Sequence, residues 1–390
     1  MSFHDKFSTQ ALAVESPTLR RITQRIQQLG GINLGQGVCQ LPPPAFLETA
    51  VTQAVREGLN RYTNPRGLIS LRQAIGRKLQ HFNGINADPE TEILITCGST
   101  GAFEAVSATL INPNDEVVSF SPFYPYHHNT LKRYGAKVHY VPLQPPDWKF
   151  EKEKLSKLIS PRTKFVLLNT PANPTGKVFT REELEFIGEL CHRNNVLVVT
   201  DEIYEYMVYG DRRHISPASI ESLRSRTISI GGYSKTFAIT GWRIGYAVVP
   251  RDIGEAMTAL LDNIYVCAPA PLQEAVARTI DELGDSFYVK LNDEYTKKRD
   301  YFAQGLKSAG LLPFIPQGAY YMMGHFGERY SNFGSIAFVD FMMERVGVAA
   351  VPAVDFVTNG NDEPWVRFCF SVPDEVLHQA VSQLRRLDAL

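Results

Sequence analysis

The chain has 390 residues and a formal net charge of −1 at neutral pH, and 44% of its residues are hydrophobic. That length predicts more than one compact core, and the near-neutral charge lacks the basic surface typical of nucleic-acid-binding proteins. No apolar run approaches the roughly 18 residues that a transmembrane helix needs, so we expect no membrane partner.

The spacing of cysteine and histidine argues against a metal site. The five cysteines lie far apart without a Cys-x-x-Cys pair, and no two histidines are spaced His-x-x-x-His. The pattern predicts neither a zinc site nor a disulfide framework, and it fits a reducing cytoplasm. The first residues also lack the charged and then apolar pattern of a secretory signal.

The N-terminal part predicts an arm and three helices. A short helix is predicted before Gly30, where apolar side chains recur at helical spacing at Leu19, Ile22, Ile26 and Leu29. An irregular segment rich in glycine and proline follows, and residues 45–57 and 67–82 predict amphipathic helices. The Gly-Gln-Gly at 35–37 lacks the third glycine of a dinucleotide fingerprint, which argues against a nicotinamide-dependent oxidoreductase.

From about residue 92 to 250, short apolar runs alternate with helical stretches. The predicted strands are 92–96, 116–120, 137–141, 164–169, 196–200, 227–230 and 244–249. The clearest helix between them begins with a capping box at Thr180 and Glu183. Strands rich in Val, Ile and Leu that alternate with helices predict an α/β fold, whose mostly parallel sheet is covered by helices on both faces.

The C-terminal third is expected to form a smaller α/β domain together with the N-terminal arm. The predicted division is 1–45 for the arm, 46–280 for the large domain and 281–390 for the small domain. Strands are predicted at 320–323 and 347–351. A last helix is expected to begin near Asp374, capped around Ser371 and followed by inward-facing apolar residues.

Chemically distinctive groups follow five of the predicted strands. They are Gly-Ser-Thr-Gly at 98–101 opening a helix at Ala102, aromatic residues at 122–126, Asn-Pro-Thr-Gly at 173–176, Asp-Glu-Ile-Tyr at 201–204 and Ser-Lys at 234–235. Taken singly, each has an ordinary alternative, such as a helix cap at 98–101 or a solvated lysine at 235. Ligands of open parallel sheets sit beyond the carboxyl ends of the strands, so five such groups together predict a ligand site.

The chemistry of these groups indicates one ligand. Segment 98–101 offers an anion site at a helix start, Tyr124 a face for a flat ring, and Asp201 a partner for a basic ring nitrogen. Lys235 offers an amine for a carbonyl, with a pKa expected to be lowered by burial and by Arg243. Pyridoxal phosphate meets all of these requirements, with Arg243 pairing with its phosphate.

On these motifs the whole chain resembles the fold-type I, class I pyridoxal-phosphate aminotransferases. It is most similar to the group that includes prokaryotic aspartate, methionine and kynurenine aminotransferases. The motifs that carry the resemblance lie at 173–176, 201–204, 234–245 and 367–371. The resemblance implies an enzyme that exchanges an amino group between an L-amino acid and a 2-oxo acid by a ping-pong mechanism.

The resemblance also implies roles for individual residues around the cofactor ring. Lys235 corresponds to the catalytic lysine that forms the Schiff base with the cofactor. Asp201 corresponds to the partner of the ring nitrogen. Tyr204 and Asn173 correspond to partners of the phenolic oxygen, and Tyr124 to the aromatic that stacks on the ring.

Further roles concern the phosphate and the substrate. The phosphate would be bound by Ser99, Thr100, Ser234 and Arg243. Tyr62 corresponds to a tyrosine that reaches the phosphate of the neighbouring subunit, which implies a homodimer with shared active sites. Arg367 corresponds to the arginine that binds the substrate α-carboxylate, helped by Asn173 and the Gly37 amide.

Two departures from the family pattern bear on the phosphate and the substrate. Gly232 stands where many members have a phosphate-binding serine, so Ser234 or a backbone amide would substitute. Thr100 stands where members that prefer acidic substrates often place a lysine. This difference favours a neutral, methionine-like or aromatic donor, and side-chain specificity is expected in loops and in the arm near residues 14–18.

Three other functions are known for scaffolds of this kind. An aspartate aminotransferase and a carbon–sulfur β-lyase would use the same scaffold and residues. A transcription regulator with an aminotransferase-like sensor domain would need about 60–70 basic residues of DNA-binding domain before that domain. Only about 30 residues precede Gly35, which argues against the regulator.

Overall fold

The computed structural model describes residues 3, 6–13, 18–358 and 361–389. Of the arm segment 14–18, to which the sequence assigns specificity, only Thr18 is therefore described. The predicted division at residues 45 and 280 stays a prediction. No helix in the described ranges has both the length and the apolar character to cross a bilayer.

The helices of the described residues are numbered in chain order. They are α1 Thr9–Leu12, α2 Thr18–Gln28, α3 Ala45–Arg56, α4 Ile69–Lys78, α5 Gly98–Leu110, α6 Pro125–Arg133, α7 Lys152–Leu158, α8 Arg181–Asn194, α9 Glu221–Arg224, α10 Arg251–Tyr265, α11 Ala270–Glu282, α12 Asp285–Ser308, α13 Ser335–Arg345 and α14 Asp374–Leu384.

The strands are numbered in the same way. They are β1 Ile32–Asn33, β2 Ile93–Cys97, β3 Glu116–Ser121, β4 Lys137–Pro142, β5 Thr163–Asn169, β6 Leu197–Asp201, β7 Thr227–Gly232, β8 Ile244–Val248, β9 Leu312–Phe314, β10 Tyr321–His325, β11 Val348–Ala349, β12 Val351–Pro352 and β13 Trp365–Cys369.

Seven of the described strands form the central sheet, in the order β2-β8-β7-β6-β5-β3-β4. Strands β7, β6, β5, β3 and β4 pair in parallel, and β8 is antiparallel to both of its neighbours. Since β8 is reversed, β2 runs in the same direction as β7. The predicted α/β fold with a mostly parallel sheet is confirmed.

Helices cover both faces of this sheet, because successive strand residues point to opposite sides. Val118, Val166 and Val198 pack on one face with Leu184 and Ile187 of α8. The adjacent strand positions pack on the other face against α5, at Val117, Phe165, Val199, Phe103 and Val106. This double burial explains why the strands read as continuous apolar runs.

A second sheet lies in the C-terminal third, with four described strands in the order β12-β13-β10-β9, all antiparallel. The N-terminal β1 pairs in parallel with β11, with Ile32 opposite Val348. This pairing brings the N-terminal part against the C-terminal third, as the sequence predicts. The apolar core beneath includes Phe302 of α12 and Phe338 of α13.

Three local predictions were wrong. The helix expected to open at Ala102 begins at Gly98. Segment 347–351 is not one strand, because β11 and β12 belong to different sheets. The last helix begins after Pro373 without a side-chain cap, and the Ser371 hydroxyl instead lies 2.7 Å from the Tyr295 hydroxyl.

Candidate active site

The five groups that follow the predicted strands meet at one edge of the central sheet. Strands β2, β3, β5, β6 and β7 all run in one direction, so their carboxyl ends share that edge. A cavity of about 1230 Å³ opens there. Among its lining residues are the predicted Gly37, Thr100, Tyr124, Asn173, Tyr204, Lys235, Arg243 and Arg367.

Lys235 lies just beyond β7 with its amine inside the cavity. Its Nζ donates a hydrogen bond to the Gly37 carbonyl at 2.9 Å and lies 5.7 Å from the centroid of the Tyr320 ring. Burial is the main cause that lowers the Lys235 pKa, and the charge of Arg243 acts in the same direction. The lowered pKa predicted from the sequence is therefore present, and it favours the uncharged amine.

Asp201 ends β6 and is held by a histidine that the sequence analysis did not identify. Its Oδ2 accepts a hydrogen bond from His127 Nε2 at 3.0 Å, and its Oδ1 accepts one from the Ile203 amide at 3.2 Å. The His127 ring also packs edge-on against Tyr124 at 5.0 Å. The three-residue spacing of Tyr124 and His127 at the start of α6 is a sequence signal that could have placed the two side chains together.

The N-terminus of α5 and Arg243 together create a site that suits a phosphate. Gly98 adopts a left-handed φ of +75°, and a side chain there would collide with the Arg243 guanidinium. Arg243 is anchored by donating to the Thr240 carbonyl at 2.9 Å. A cation facing the positive end of a helix is unfavourable unless an anion lies between them, so the residues present fit a phosphate group.

Of the predicted phosphate ligands Ser99, Thr100 and Ser234, Thr100 is the one found among the described residues that line the cavity. Thr100 lines the cavity, Ser99 precedes it in the first turn of α5, and Ser234 is buried next to Lys235. Gly232 has a steric reason to differ from the serine of many family members. An added Cβ would lie 3.1 Å from the Gly245 Cα and 3.1 Å from the Ile203 Cδ1, which leaves little room for a side chain.

Arg367 on β13 presents a buried guanidinium to the cavity. Its Nη1 donates to the Asn173 Oδ1 at 3.0 Å and its Nη2 donates to the Gly35 carbonyl. The guanidinium carbon lies 4.4 Å from the Tyr321 ring centroid and 5.0 Å from that of Phe356. Within the described residues the buried Nε has no hydrogen-bond partner, so the hydrogen-bonding capacity of the guanidinium is not fully used.

Tyr321 also contributes to the site, although the sequence predicted only that it lies on a strand. Its hydroxyl lies 2.9 Å from the Tyr204 hydroxyl, and burial raises the Tyr321 pKa to about 12. A side chain at position 37 would collide with the Tyr321 hydroxyl, so Gly37 allows the backbone to approach this pair closely. The two neutral hydroxyls are hydrogen-bond donors and acceptors at the cavity wall.

Tyr62 does not reach the cavity of its own chain. Its side chain is 84% exposed, and it does not line the cavity in the described structure. Its expected contribution to a neighbouring subunit stays a prediction.

Comparison with known proteins identifies the family of the chain. The model of the family "Aminotransferase class I and II" matches residues 30–384. Human kynurenine–oxoglutarate transaminase 1 is 32% identical over 391 residues, covering 91% of this chain and 92% of that protein. Both matches span nearly the whole chain.

Two solved structures are also similar over their full lengths. The N-succinyldiaminopimelate aminotransferase of Mycobacterium tuberculosis superimposes with a TM-score of 0.93 and 31% identity, covering 98% of this chain and 100% of that one. An Escherichia coli protein identified as having a methionine aminotransferase function gives a TM-score of 0.93 and 27% identity, covering 98% and 99%.

Proposed function

Because the chain belongs to the class I and II aminotransferase family, we propose that its amino donor is a neutral amino acid with a methionine-like or aromatic side chain. The chain is a transaminase with pyridoxal phosphate as its cofactor, and its substrates are amino acids and 2-oxo acids.

The observation that carries the donor class is Thr100 in the cavity wall. Its hydroxyl is neutral at a position where family members that prefer acidic substrates often have a lysine. Apolar side chains at Leu19, Val38 and Val357 line the same cavity. The names of two similar proteins, for kynurenine and for methionine, support the same class.

The cofactor would be held by residues from several strand ends. Arg243 and the first turn of α5, with Ser99, Thr100 and Ser234, would bind its phosphate. Tyr124 would stack on the ring and Asp201, fixed by His127, would keep the ring nitrogen protonated. When bound, pyridoxal phosphate supplies an electron sink for negative charge at the substrate α-carbon. Tyr204 and Asn173 would donate to its phenolic oxygen.

Lys235 is proposed as the group that moves the proton. Its amine has a lowered pKa, so a larger fraction of Nζ is uncharged and able to act as a base than in an ordinary lysine. Nζ would accept the α-proton of the amino acid and later release it again. The Gly37 carbonyl, 2.9 Å away, orients the amine towards the cavity.

Arg367 is proposed to bind the substrate α-carboxylate. Its planar fork is fixed by Asn173 and by the two flanking rings of Tyr321 and Phe356. A fixed fork recognises a carboxylate with two parallel hydrogen bonds and sets the orientation of the α-carbon. The Gly37 amide would contribute a further hydrogen bond.

We also propose a homodimer located in the cytoplasm. The exposed Tyr62 would reach the phosphate of the other subunit, and Ile264 and Tyr126, large exposed apolar residues, lie at the cavity. All five cysteines are free thiols, the form that a reducing compartment maintains. Light scattering on the purified protein measures the assembly.

The test of the donor class is a screen of amino acids with purified protein, added pyridoxal phosphate and a panel of 2-oxo acids. We expect methionine and aromatic amino acids to give the highest kcat/KM and to yield 2-oxo acids with transfer of the amino group. Aspartate as the best donor would overturn the donor class. Release of pyruvate with ammonia or a thiol would instead identify a carbon–sulfur β-lyase. Lys235→Ala serves as the inactive control.

A further inference from the structure

An acidic side chain, Asp355, lines the same cavity as Arg367 and has no role in the proposed reaction. It lies in the turn Ala353–Phe356, which directly follows β12. Strand β12 pairs with β13 so that Val351 lies opposite Arg367. The turn is thereby placed next to the guanidinium that is proposed to bind the α-carboxylate.

The turn is fixed on two sides, so the position of Asp355 is defined. The carbonyl of Phe356 accepts a hydrogen bond from the Phe123 amide at 2.9 Å. The Phe356 ring centroid lies 5.0 Å from the Arg367 guanidinium carbon. The amide of Val354 donates to the Ser335 hydroxyl at 3.4 Å. Asp355 therefore lies on a fixed part of the cavity wall.

Two positive charges, those of Arg367 and Arg21, act on Asp355, and both arginines also have other partners. Arg21 pairs with Asp340 at 2.9 Å, and Arg367 donates to Asn173 at 3.0 Å. Burial raises the Asp355 pKa, whereas the hydrogen bond with the Thr18 side chain and the charges of the two arginines favour the charged carboxylate. The Asp355 side chain lines the cavity that a substrate would occupy.

We propose that Asp355 determines specificity by rejecting substrates with a second carboxylate and by accepting side chains that carry an N–H donor, such as an amide or an arylamine. The inference rests on the proposed function: when Arg367 binds the α-carboxylate of the substrate, the side chain of the substrate runs along the cavity wall. Two carboxylates in a partly buried site repel each other, whereas an N–H group donates a hydrogen bond to Asp355.

Glutamine and glutamate form the matched substrate pair for a test, because they differ only in the terminal amide or carboxylate. The ratio of their kcat/KM values is measured in the holoenzyme and in Asp355→Asn, which keeps the shape and removes the charge. We expect the glutamine-to-glutamate ratio to fall at least about tenfold in the variant, since removing like-charge repulsion favours glutamate. An unchanged ratio would overturn the inference.

Asp281→Asn is the matched control for net charge. Asp281 pairs with Arg77 on the surface and does not line the cavity in the described structure, so this variant is expected to keep the wild-type ratio. A fall of the ratio in Asp281→Asn equal to that in Asp355→Asn would overturn the inference by showing a general charge effect. If Asp355→Asn does not fold, Thr18→Val removes the supporting hydrogen bond and is expected to lower the ratio in the same direction.

Binding without turnover separates this inference from the proposed function. Calorimetry on the holoenzyme compares glutarate with glutaramate, which lack an amino group. Wild type is expected to bind glutaramate at least about tenfold more tightly, and Asp355→Asn is expected to bind the two alike. If wild type binds glutarate and glutaramate equally, the role of Asp355 is overturned. If wild type keeps the binding preference but does not transaminate, only the proposed function is overturned.

Discussion

The Arg367 Nη1 donates a hydrogen bond to the Asn173 Oδ1 across 3.0 Å, and this contact joins the two sheets of the molecule at the site. Arg367 lies on β13 of the antiparallel sheet, and Asn173 follows β5 of the central sheet. The position of the guanidinium therefore depends on how the two sheets meet. A change at Arg367 should affect the substrate more than the cofactor.

Replacing Arg367 with lysine is expected to raise KM for both the amino acid and the 2-oxo acid by about tenfold to 100-fold. Lysine keeps the charge but loses the planar fork, so a bidentate contact becomes a single one. Steady-state kinetics with both substrates measure the effect, and the dissociation constant of pyridoxal phosphate is expected to stay near the wild-type value. Arg386→Lys, at an exposed arginine that bonds the Arg345 carbonyl, is the control. Unchanged KM values in Arg367→Lys would contradict the assignment.

The lowered pKa of Lys235 predicts a pH dependence of stability in the cofactor-free protein. The folded-state pKa lies below the ordinary 10.5, so between the two values the unfolded chain binds more protons. The free energy of unfolding contributed by Lys235 therefore rises as the pH increases towards 10.5 and is constant above it.

Lys235→Met removes this titration and is the variant to compare. The stability of wild type relative to Lys235→Met is expected to increase as the pH rises from the lowered folded-state pKa towards 10.5, because the penalty for a buried ammonium disappears. Urea denaturation at each pH measures the difference. A difference that is flat or decreases with pH would show that the Lys235 pKa is not lowered.

His127 is expected to be a positioning residue for Asp201. Its hydrogen bond of 3.0 Å to the buried carboxylate fixes Oδ2 in one direction. A hydrogen bond to a charged group contributes about 1.5–3 kcal/mol, so His127→Phe should weaken cofactor binding by about tenfold to 100-fold. His128→Phe, at the neighbouring position, is the comparison.

The measurement for His127 uses the absorbance of bound pyridoxal phosphate as well as activity. We expect His127→Phe to bind the cofactor with a changed pH dependence of its absorbance, because Asp201 is no longer held. A purely structural role would lower stability and leave the absorbance of the bound cofactor unaltered. His127→Asn, which keeps one donor, is expected to restore part of the affinity.

Much of the fold was predictable because its signals are local. The run at 116–120 corresponds to Glu116–Ser121, and the capping box of Thr180 and Glu183 is present as predicted. A buried parallel strand needs a continuous apolar run, and a helix start is favoured by a cap. Both are therefore visible as patterns of a few consecutive residues. The order of strand ends then sufficed to locate the candidate site.

The errors arose where distant residues decide the structure. Ser371 does not cap the last helix, because its hydroxyl is taken by Tyr295, 76 positions away. His127 meets Asp201 across 74 positions, and Tyr321 meets Tyr204 across 117, so neither partner was visible as a motif. At Gly98 the helix begins in a left-handed residue that carries no propensity signal.

A buried ion pair between Lys78 of α4 and Glu205 supports the loop that follows Asp201 and carries Tyr204. The side chains are only 4% and 7% exposed, and the Lys78 Nζ also donates to the Asn83 Oδ1 at 2.9 Å and to the Tyr246 hydroxyl at 3.2 Å. Lys78→Met is expected to destabilise the protein by about 3–5 kcal/mol, because it leaves the Glu205 charge buried without its partner.

The neighbouring Arg77 provides the matched control for this prediction. It pairs with Asp281 at 2.7 Å, but the two side chains are 58% and 50% exposed, so Arg77→Met should cost less than about 1 kcal/mol. The double variant Lys78→Met with Glu205→Leu removes both charges and is expected to recover much of the stability lost in Lys78→Met, since no charge stays buried alone. Urea denaturation of wild type, Lys78→Met, Arg77→Met and the double variant measures these differences. Equal losses of stability for Lys78→Met and Arg77→Met would show that the buried pair does not support the loop.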